Sequence, residues 1–259
     1  MDSLGFFGHA TTLIRLGASS AITDPLLGGN MGVLRRHGAP VDRARLRKID
    51  VVLLSHLHRD HFDLRSLRSL PASVPAVVPR GAAALAAKGG RETVIELGPG
   101  ETATVAGLEI LATPATHDGH RDRWGDEVSP LGFVVSRNRK RVYFAGDTDL
   151  FDQMAELGPL DAALLPVWGW GPRLGPGHLD PARAAEALRL LRPRLAVPIH
   201  WGTLFPRGLA RLLPERLSEP PLEFQRAAAS IAPDTEVRAL RPGESLELGR
   251  ARRRRRAVA

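Results

Sequence analysis

Four side chains that could bind a metal lie within residues 55–61, SHLHRDH: His56, His58, Asp60 and His61. They follow KIDVVLLS, an apolar run that predicts a buried strand, so the four ligands stand where the chain leaves the core. Imidazole and carboxylate donors suit zinc, and they also suit manganese or iron in a more oxygen-rich site. The segment predicts a metal site at a strand end. The alternative is a polar loop whose histidines only cap the strand.

Three more candidate ligands follow apolar runs elsewhere in the chain: His117 in LATPATH, Asp147 in YFAGDT and His200 in AVPIHWGT. A single histidine of this kind is more often structural than functional, but the density of ligands in residues 55–61 reverses that expectation. If the strand ends meet at one edge of a layered fold, five histidines and two aspartates come together. That set is large enough for two metal ions, and the Asp147 carboxylate could bridge them.

Length and composition favour one α/β domain. The chain has 259 residues and a net charge of +8, and it contains no cysteine, so disulfides and thiolate metal sites are excluded. We predict one domain over residues 1–250 and a basic, disordered tail over residues 251–259. The sequence lacks a membrane-span pattern and a signal-peptide pattern, which predicts a cytoplasmic protein.

The order of predicted elements favours two packed sheets with helices outside. Residues 10–25 predict a hairpin, residues 28–48 an irregular basic connection, and residues 63–70 a short helix. The chain is β-rich from residue 93 onward, and Asp180 followed by proline predicts the N-terminus of a helix over residues 182–191. We therefore predict a four-layer αββα sandwich.

The chain resembles the metallo-β-lactamase-fold hydrolases. The resemblance is carried by HLHRDH, the isolated His117, the GDT segment at residues 146–148 and His200, in that order along the chain. Within that superfamily it resembles the branch of N-acylphosphatidylethanolamine phospholipase D and the ascorbate-6-phosphate lactonase-like proteins. The motifs for this finer resemblance are GHATTLI at residues 8–14, TDP at 23–25, HLDPARAAEAL at 178–188 and HWGT at 200–203.

The resemblance implies a dinuclear centre. It assigns one metal to His56, His58 and His117, and a second metal to Asp60, His61 and His200, with Asp147 bound to both. The absence of cysteine argues against a dedicated antibiotic hydrolase. The diiron oxygen-reducing branch would have a glutamate at position 58, so His58 argues against that branch. The expected cofactors are two divalent metal ions, with Zn²⁺ favoured over Mn²⁺ or Fe.

The expected activity is hydrolysis of a phosphodiester, such as a phospholipid, or of a phosphorylated lactone. Two cations about 3.5 to 4 Å apart can share a water as hydroxide, so no protein nucleophile is required. Asp60 would orient the hydroxide. Asp24 is the candidate to accept a hydrogen bond from a ligand imidazole on the side away from the metal. The resemblance implies that His178 contacts the anionic group of the substrate.

Several residues near these motifs have two interpretations. Arg121 could pair with a phosphate through its guanidinium, or could simply be a solvated charge. Trp168 and Trp201 could line an apolar substrate pocket, or could pack in the core. His9 is expected to be a buried structural donor rather than a ligand.

The expected partner is a small-molecule or lipid-like anionic substrate, and we expect no nucleic-acid partner. The sequence carries no signal for an oligomeric state. Two alternative functions remain open: an RNase Z-like nuclease of the same fold, and a non-catalytic metal-binding module. In the latter, Arg252 to Arg256 of the tail would contact an anionic membrane surface peripherally.

Overall fold

Two seven-stranded sheets and a small third sheet form the framework of the computed structural model, which describes residues 1–121 and 127–249. The strands are β1 Ser3–Gly8, β2 Thr11–Leu16, β3 Ser19–Thr23, β4 Asn30–Met31, β5 Leu34–Arg36, β6 Val51–Leu53, β7 Ala76–Pro79, β8 Val94–Leu97, β9 Thr102–Val105, β10 Leu108–Pro114, β11 Leu131–Arg137, β12 Lys140–Phe144, β13 Leu160–Pro166, β14 Pro193–Ile199, β15 Leu204–Pro206, β16 Glu236–Val237 and β17 Ser245–Glu247.

Short helices connect and cover these strands. The α-helices are α1 Leu64–Arg68, α2 Ala83–Lys88, α3 Met154–Leu157, α4 Pro181–Leu191, α5 Glu215–Ser218 and α6 Pro220–Ile231. Two 3₁₀ helices cover Arg43–Leu46 and Leu209–Arg211. In the described part of the chain, every helix is too short or too polar to cross a membrane.

Both large sheets combine an antiparallel and a parallel half. The first has the order β17-β1-β2-β3-β6-β7-β8 and is parallel from β3 to β8. The second has the order β16-β14-β13-β12-β11-β10-β9 and is parallel among β12, β13, β14 and β16. Parallel neighbours end at the same edge of a sheet, so the loops after β3, β6, β12, β13 and β14 are brought together.

The strands are apolar on both faces because each sheet is covered on both sides. In β6, Val51 and Leu53 face the core between the sheets, whereas Val52 faces the layer of α1 and α2. In β12, Phe144 faces the core between the sheets and Tyr143 packs toward α4 and α6. These are continuous hydrophobic runs of the kind that doubly covered sheets require. The layers are therefore helix, sheet, sheet and helix, which confirms the predicted αββα sandwich.

The helix starts that the sequence predicts are present. The Asp63 carboxylate caps α1 by accepting hydrogen bonds from the backbone N–H groups of Arg65 and Ser66. The Asp180 carboxylate caps α4 by accepting one from the N–H of Arg183, and proline occupies the first helical position.

The prediction of an irregular connection over residues 28–48 is wrong. This segment contains β4, β5 and a 3₁₀ helix, and β5 pairs with β15, so that Phe205 lies opposite Arg35. The strands have only two and three residues and their partner is distant in sequence, so no local pattern indicates them. The predicted tail over residues 251–259 lies outside the described residues, and the domain boundary at residue 250 remains a prediction.

Replacing Phe144 by alanine should lower the free energy of unfolding by about 3–5 kcal/mol, because it leaves a cavity between the two sheets where the ring is fully buried. Urea denaturation followed by circular dichroism measures this change. Leu222→Ala on α6, where the side chain is 43% exposed, is the control and should change stability by less than about 0.5 kcal/mol. Equal effects of the two substitutions would contradict the packing described here.

Candidate metal centre

The predicted ligands all follow the carboxyl ends of strands in the two large sheets. The first sheet contributes the segment after β6, which carries His56, His58, Asp60 and His61. The second sheet contributes His117 after β10, Asp147 after β12 and His200 after β14. The structure brings all seven side chains to one edge of the sandwich, where six of them form two groups of donor atoms and Asp147 lies between the groups.

The first group consists of three imidazoles. His58 Nδ1 lies 3.0 Å from His56 Nε2 and 3.1 Å from His117 Nε2. His56 is fully buried and the His117 side chain is only 1% exposed, whereas His58 is partly exposed, so His58 lies at the mouth of the site. Three ring nitrogens within 4.8 Å of one another match the ligand set of a catalytic zinc site, which leaves a coordination position open.

The second group lies deeper and contains a carboxylate. His61 Nε2 and His200 Nε2 are 3.0 Å apart, and Asp60 Oδ2 lies 3.6 Å from the former and 3.7 Å from the latter. All three residues are buried. Two imidazole nitrogens and one carboxylate oxygen form a harder donor set than the three imidazoles of the first group.

Asp147 connects the two groups. Its Oδ2 atom lies 3.2 Å from both His61 Nε2 and His200 Nε2, and 4.0 Å from His117 Nε2. Its Oδ1 atom is buried and has no hydrogen-bond partner among the described residues. A buried carboxylate oxygen without a donor is costly unless a cation binds it, so these residues fit a metal centre.

Gly146 makes the turn that brings Asp147 to this position. Its φ of +63° lies in the left-handed region, and a Cβ atom there would lie 2.7 Å from the Cβ atom of Ser55. Only glycine fits both the backbone conformation and this close approach of the two ligand loops.

Asp24 orients one ligand from each group. Its carboxylate accepts hydrogen bonds from the Ser55 N–H at 2.8 Å, the Ser55 hydroxyl at 2.6 Å and His61 Nδ1 at 2.7 Å. Because the Ser55 hydroxyl donates to Asp24, it accepts from His56 Nδ1 at 2.8 Å. In the neutral tautomer these contacts place the proton of each ring on Nδ1, and they direct the Nε2 atoms of His56 and His61 inward. This is the outer position predicted for Asp24.

Backbone carbonyls orient two other imidazoles in the same way. His117 Nδ1 donates to the Gly177 carbonyl at 2.7 Å, and His200 Nδ1 donates to the Trp168 carbonyl at 2.9 Å. Such contacts determine the tautomer and the rotation of a metal-binding histidine.

Burial and neighbouring charges set the protonation of the site. Burial lowers the pKa of His56, of His58 and of His117, the last to about 4, which keeps these rings neutral and able to donate a lone pair. Burial would also lower the pKa of His61, but the carboxylates of Asp147 and Asp60 raise it well above its usual range. A divalent cation would neutralise these two carboxylates in the same way as a protonated His61.

The carboxylates show the complementary shifts. Burial alone would raise the pKa of Asp60 and of Asp147, but the neighbouring His61 and His200 hold both well below their usual range. Burial raises the pKa of Asp24, against the hydrogen bonds from His61 and Ser55.

His178 stands at the edge of the centre. Its Nε2 atom is 3.4 Å from Asp147 Oδ2, and its ring packs edge-on against His117 with centroids 4.6 Å apart. Its Nδ1 atom donates to the Pro176 carbonyl at 2.9 Å, which directs Nε2 toward the metal ligands. The side chain remains 19% exposed, so a substrate can reach it.

His9 has a larger part in the site than the sequence indicates. Its Nε2 atom donates to Asp60 Oδ2 at 2.8 Å, and its ring lies 3.9 Å from that of His200, centroid to centroid. Its backbone carbonyl accepts from the His200 N–H at 2.8 Å, and its own N–H donates to the Thr203 hydroxyl at 2.7 Å. The φ of 56° at His9 is unusual for a residue other than glycine. His9 is the buried donor that we predicted, and it holds two ligands of the second group.

The remaining sequence candidates lie around the centre without joining it. Arg121 donates from Nη1 to the carbonyls of Leu57 at 2.8 Å and Phe62 at 3.2 Å, so it braces the loop of residues 55–61. Trp168 is buried and contributes its carbonyl to His200. Trp201 packs against Phe6 with ring centroids 6.2 Å apart, as part of the core.

Replacing His9 by alanine should weaken zinc binding about 10- to 100-fold, because Asp60 and His200 lose the contacts that orient them. Competition with a chromogenic chelator measures the affinity, and far-UV circular dichroism checks the fold. His9→Gln, which retains a side-chain N–H donor, should recover part of the lost affinity. Wild-type zinc affinity in His9→Ala would show that His9 does not position the ligands.

The sequence matches the β-lactamase superfamily domain over residues 21–201. It is 34% identical to a UPF0173 metal-dependent hydrolase of Methanopyrus kandleri over 93% of this chain and 98% of the relative. It is 35% identical to another of that family from Opitutus terrae over 95% of this chain and 99% of the relative.

The fold is shared with solved structures. A metallo hydrolase from Ignicoccus hospitalis superposes with a TM-score of 0.71 and 27% identity, over 95% of this chain and 97% of that chain. An isothiocyanate hydrolase from Delia radicum gut bacteria has a TM-score of 0.72 at 19% identity, over 94% of this chain and 98% of the other, and this likeness concerns the fold alone. The sequence matches cover most of the chain at more than 30% identity, and the metal-ligand cluster is present. This chain therefore belongs to the UPF0173 metal-dependent hydrolases of the metallo-β-lactamase superfamily.

Proposed function

We propose that this hydrolase uses a dinuclear centre to cleave a phosphodiester or a phosphorylated lactone. The observation that carries the proposal is the position of Asp147, whose carboxylate lies against ligands of both groups and has one oxygen without a partner among the described residues. A mononuclear site would need only one of the two groups. The donor set favours Zn²⁺, with Mn²⁺ or Fe as alternatives.

One cation would be held by His56, His58 and His117. The other would be held by Asp60, His61 and His200, and Asp147 would contact both. When bound, such a pair of cations lowers the pKa of a water molecule toward neutrality and polarises the bond to be cleaved. No cysteine exists in the chain to act as a nucleophile.

The chain's own residues supply orientation. His9 donates to Asp60 Oδ2 and restricts the rotation of that carboxylate beside His61 and His200. His178 presents Nε2 at the partly exposed rim, where it can donate a hydrogen bond to a non-bridging oxygen of the substrate. The burial of Asp60, His61 and His200 keeps bulk water from the deeper side of the site.

The substrate class is supported by sequence motifs. The segments GHATTLI, HLDPARAAEAL and HWGT resemble the branch of N-acylphosphatidylethanolamine phospholipase D and the ascorbate-6-phosphate lactonase-like proteins. In the structure these segments place His9, His178 and His200 around one carboxylate pair, Asp60 and Asp147. Both substrate types present an anionic phosphate, which suits a positively charged metal pair.

Protein reconstituted with Zn²⁺ or Mn²⁺ should hydrolyse bis(p-nitrophenyl) phosphate, and removal of the metal by a chelator should abolish turnover until metal is restored. Release of p-nitrophenol measures the rate, and a panel of phosphorylated lactones tests the second substrate class. Metal binding without hydrolysis of any of these compounds would contradict the proposal and favour a non-catalytic module. Salt-sensitive RNA binding with RNA cleavage would instead favour a nuclease.

Asp147→Ala should lose metal and activity together, because it removes the contact shared by both ligand groups. His178→Ala should keep its metal and lose about 100-fold in kcat, since it removes only a donor to the substrate. Elemental analysis of the purified variants, together with kcat and KM for bis(p-nitrophenyl) phosphate, separates these effects. Full metal content in Asp147→Ala would show that this residue does not bridge two cations.

A further inference from the structure

A groove of about 850 Å³ lies beside the metal centre, between the small third sheet and the start of α1. One wall is the segment around β4 and β5, with Met31 and Val33, and the opposite wall contains Arg65 of α1. Neither the metal ligands nor the proposed reaction accounts for this groove.

The groove is strongly basic. Five arginines line it, Arg43, Arg59, Arg65, Arg68 and Arg121, whereas Asp63 is the acid among its described lining residues. The Asp63 carboxylate is occupied at the start of α1, where it accepts from the N–H groups of Arg65 and Ser66 and from the Ser66 hydroxyl. Arg68 and Arg121 also donate to backbone carbonyls, Arg68 to that of Lys88 and Arg121 to those of Leu57 and Phe62. Guanidinium groups that line one groove favour phosphate or carboxylate ligands.

Part of the groove is apolar. Val33 is 74% exposed and Trp170 is 44% exposed, and both line it together with the partly exposed Met31. Large side chains exposed next to a set of cations indicate a ligand that combines an apolar body with an anionic group.

Chain connectivity ties the groove to the metal centre. Arg59 stands between the ligands His58 and Asp60, and Arg121 donates to the carbonyls of Leu57 and Phe62 on either side of them. Trp170 is two residues after Trp168, whose carbonyl holds His200. A substrate bound at the metals could therefore extend directly into the groove.

We infer that the groove binds the arm of the substrate away from the bond that is cleaved, and that this arm carries an apolar segment ending in a phosphate or carboxylate. The inference rests on the proposed hydrolytic function. Arg43 and Arg65 would select the anionic end, while Met31, Val33 and Trp170 would contact the apolar segment.

Three substrates with the same p-nitrophenol leaving group test this inference: hexyl p-nitrophenyl phosphate, and its analogues with a phosphate or a carboxylate at the far end of the hexyl chain. For the metal-loaded full chain we expect kcat/KM to be at least about tenfold higher for an analogue with an anionic end than for the plain hexyl compound. The two analogues distinguish a phosphate ligand from a carboxylate ligand. The preference should decrease as salt is added.

The double variant Arg43→Glu/Arg65→Glu should reduce this preference to less than about twofold and leave the plain hexyl compound nearly unchanged. Arg43 and Arg65 are both exposed, so the fold should tolerate both substitutions. Arg139→Glu/Arg189→Glu makes the same change in net charge at exposed positions outside the groove and should keep the preference.

A preference that persists in Arg43→Glu/Arg65→Glu, or one lost equally in both double variants, would overturn the inference. If no compound is hydrolysed, the proposed phosphodiesterase activity fails, and calorimetry still tests the groove with hexane bisphosphonate and hexyl phosphonate on zinc-loaded protein. We expect the bisphosphonate to bind at least about tenfold more tightly. Equal Kd values for the two ligands would overturn the inference independently of any activity.

Discussion

The hydrogen bonds of the buried Asp24 carboxylate are the interaction on which the rest of the metal centre depends. Asp24 follows β3 and accepts hydrogen bonds from Ser55 and His61 on the loop after the parallel neighbour β6. Through the Ser55 hydroxyl it also determines the orientation of His56. One carboxylate thus aligns a ligand of each group. It can do so because the parallel pairing of β3 and β6 places the loops after these strands side by side.

Much of this arrangement could be predicted because the ligand types follow apolar runs. Strands buried on both faces show up as continuous hydrophobic segments, and a histidine or aspartate at the end of one is conspicuous. His117, Asp147 and His200 were predictable for this reason. Asp180 at the start of α4 was predictable because proline follows it. The αββα layering followed from the same runs.

The rest depends on contacts that no local pattern encodes. His9 contacts Asp60, which is 51 positions away, and its role requires an unusual positive φ. The pairing of β5 with β15 joins segments of only three residues each, which are individually too short to be recognised as strands. The α6 helix, which packs Phe224 into the outer layer, was not predicted either. The groove beside the metals is formed partly by this small sheet, so its presence could not be anticipated.

The metal ligands come from both large sheets: four follow β6 in the first sheet, and three follow strands of the second. The complete ligand set therefore exists only after the two halves of the sandwich have docked. Bound ions would stabilise the docked arrangement of those halves, because a ligand that binds only the folded state increases the free energy of unfolding. The supply of divalent ions in the cell would then govern the lifetime of the folded protein as well as its catalytic turnover.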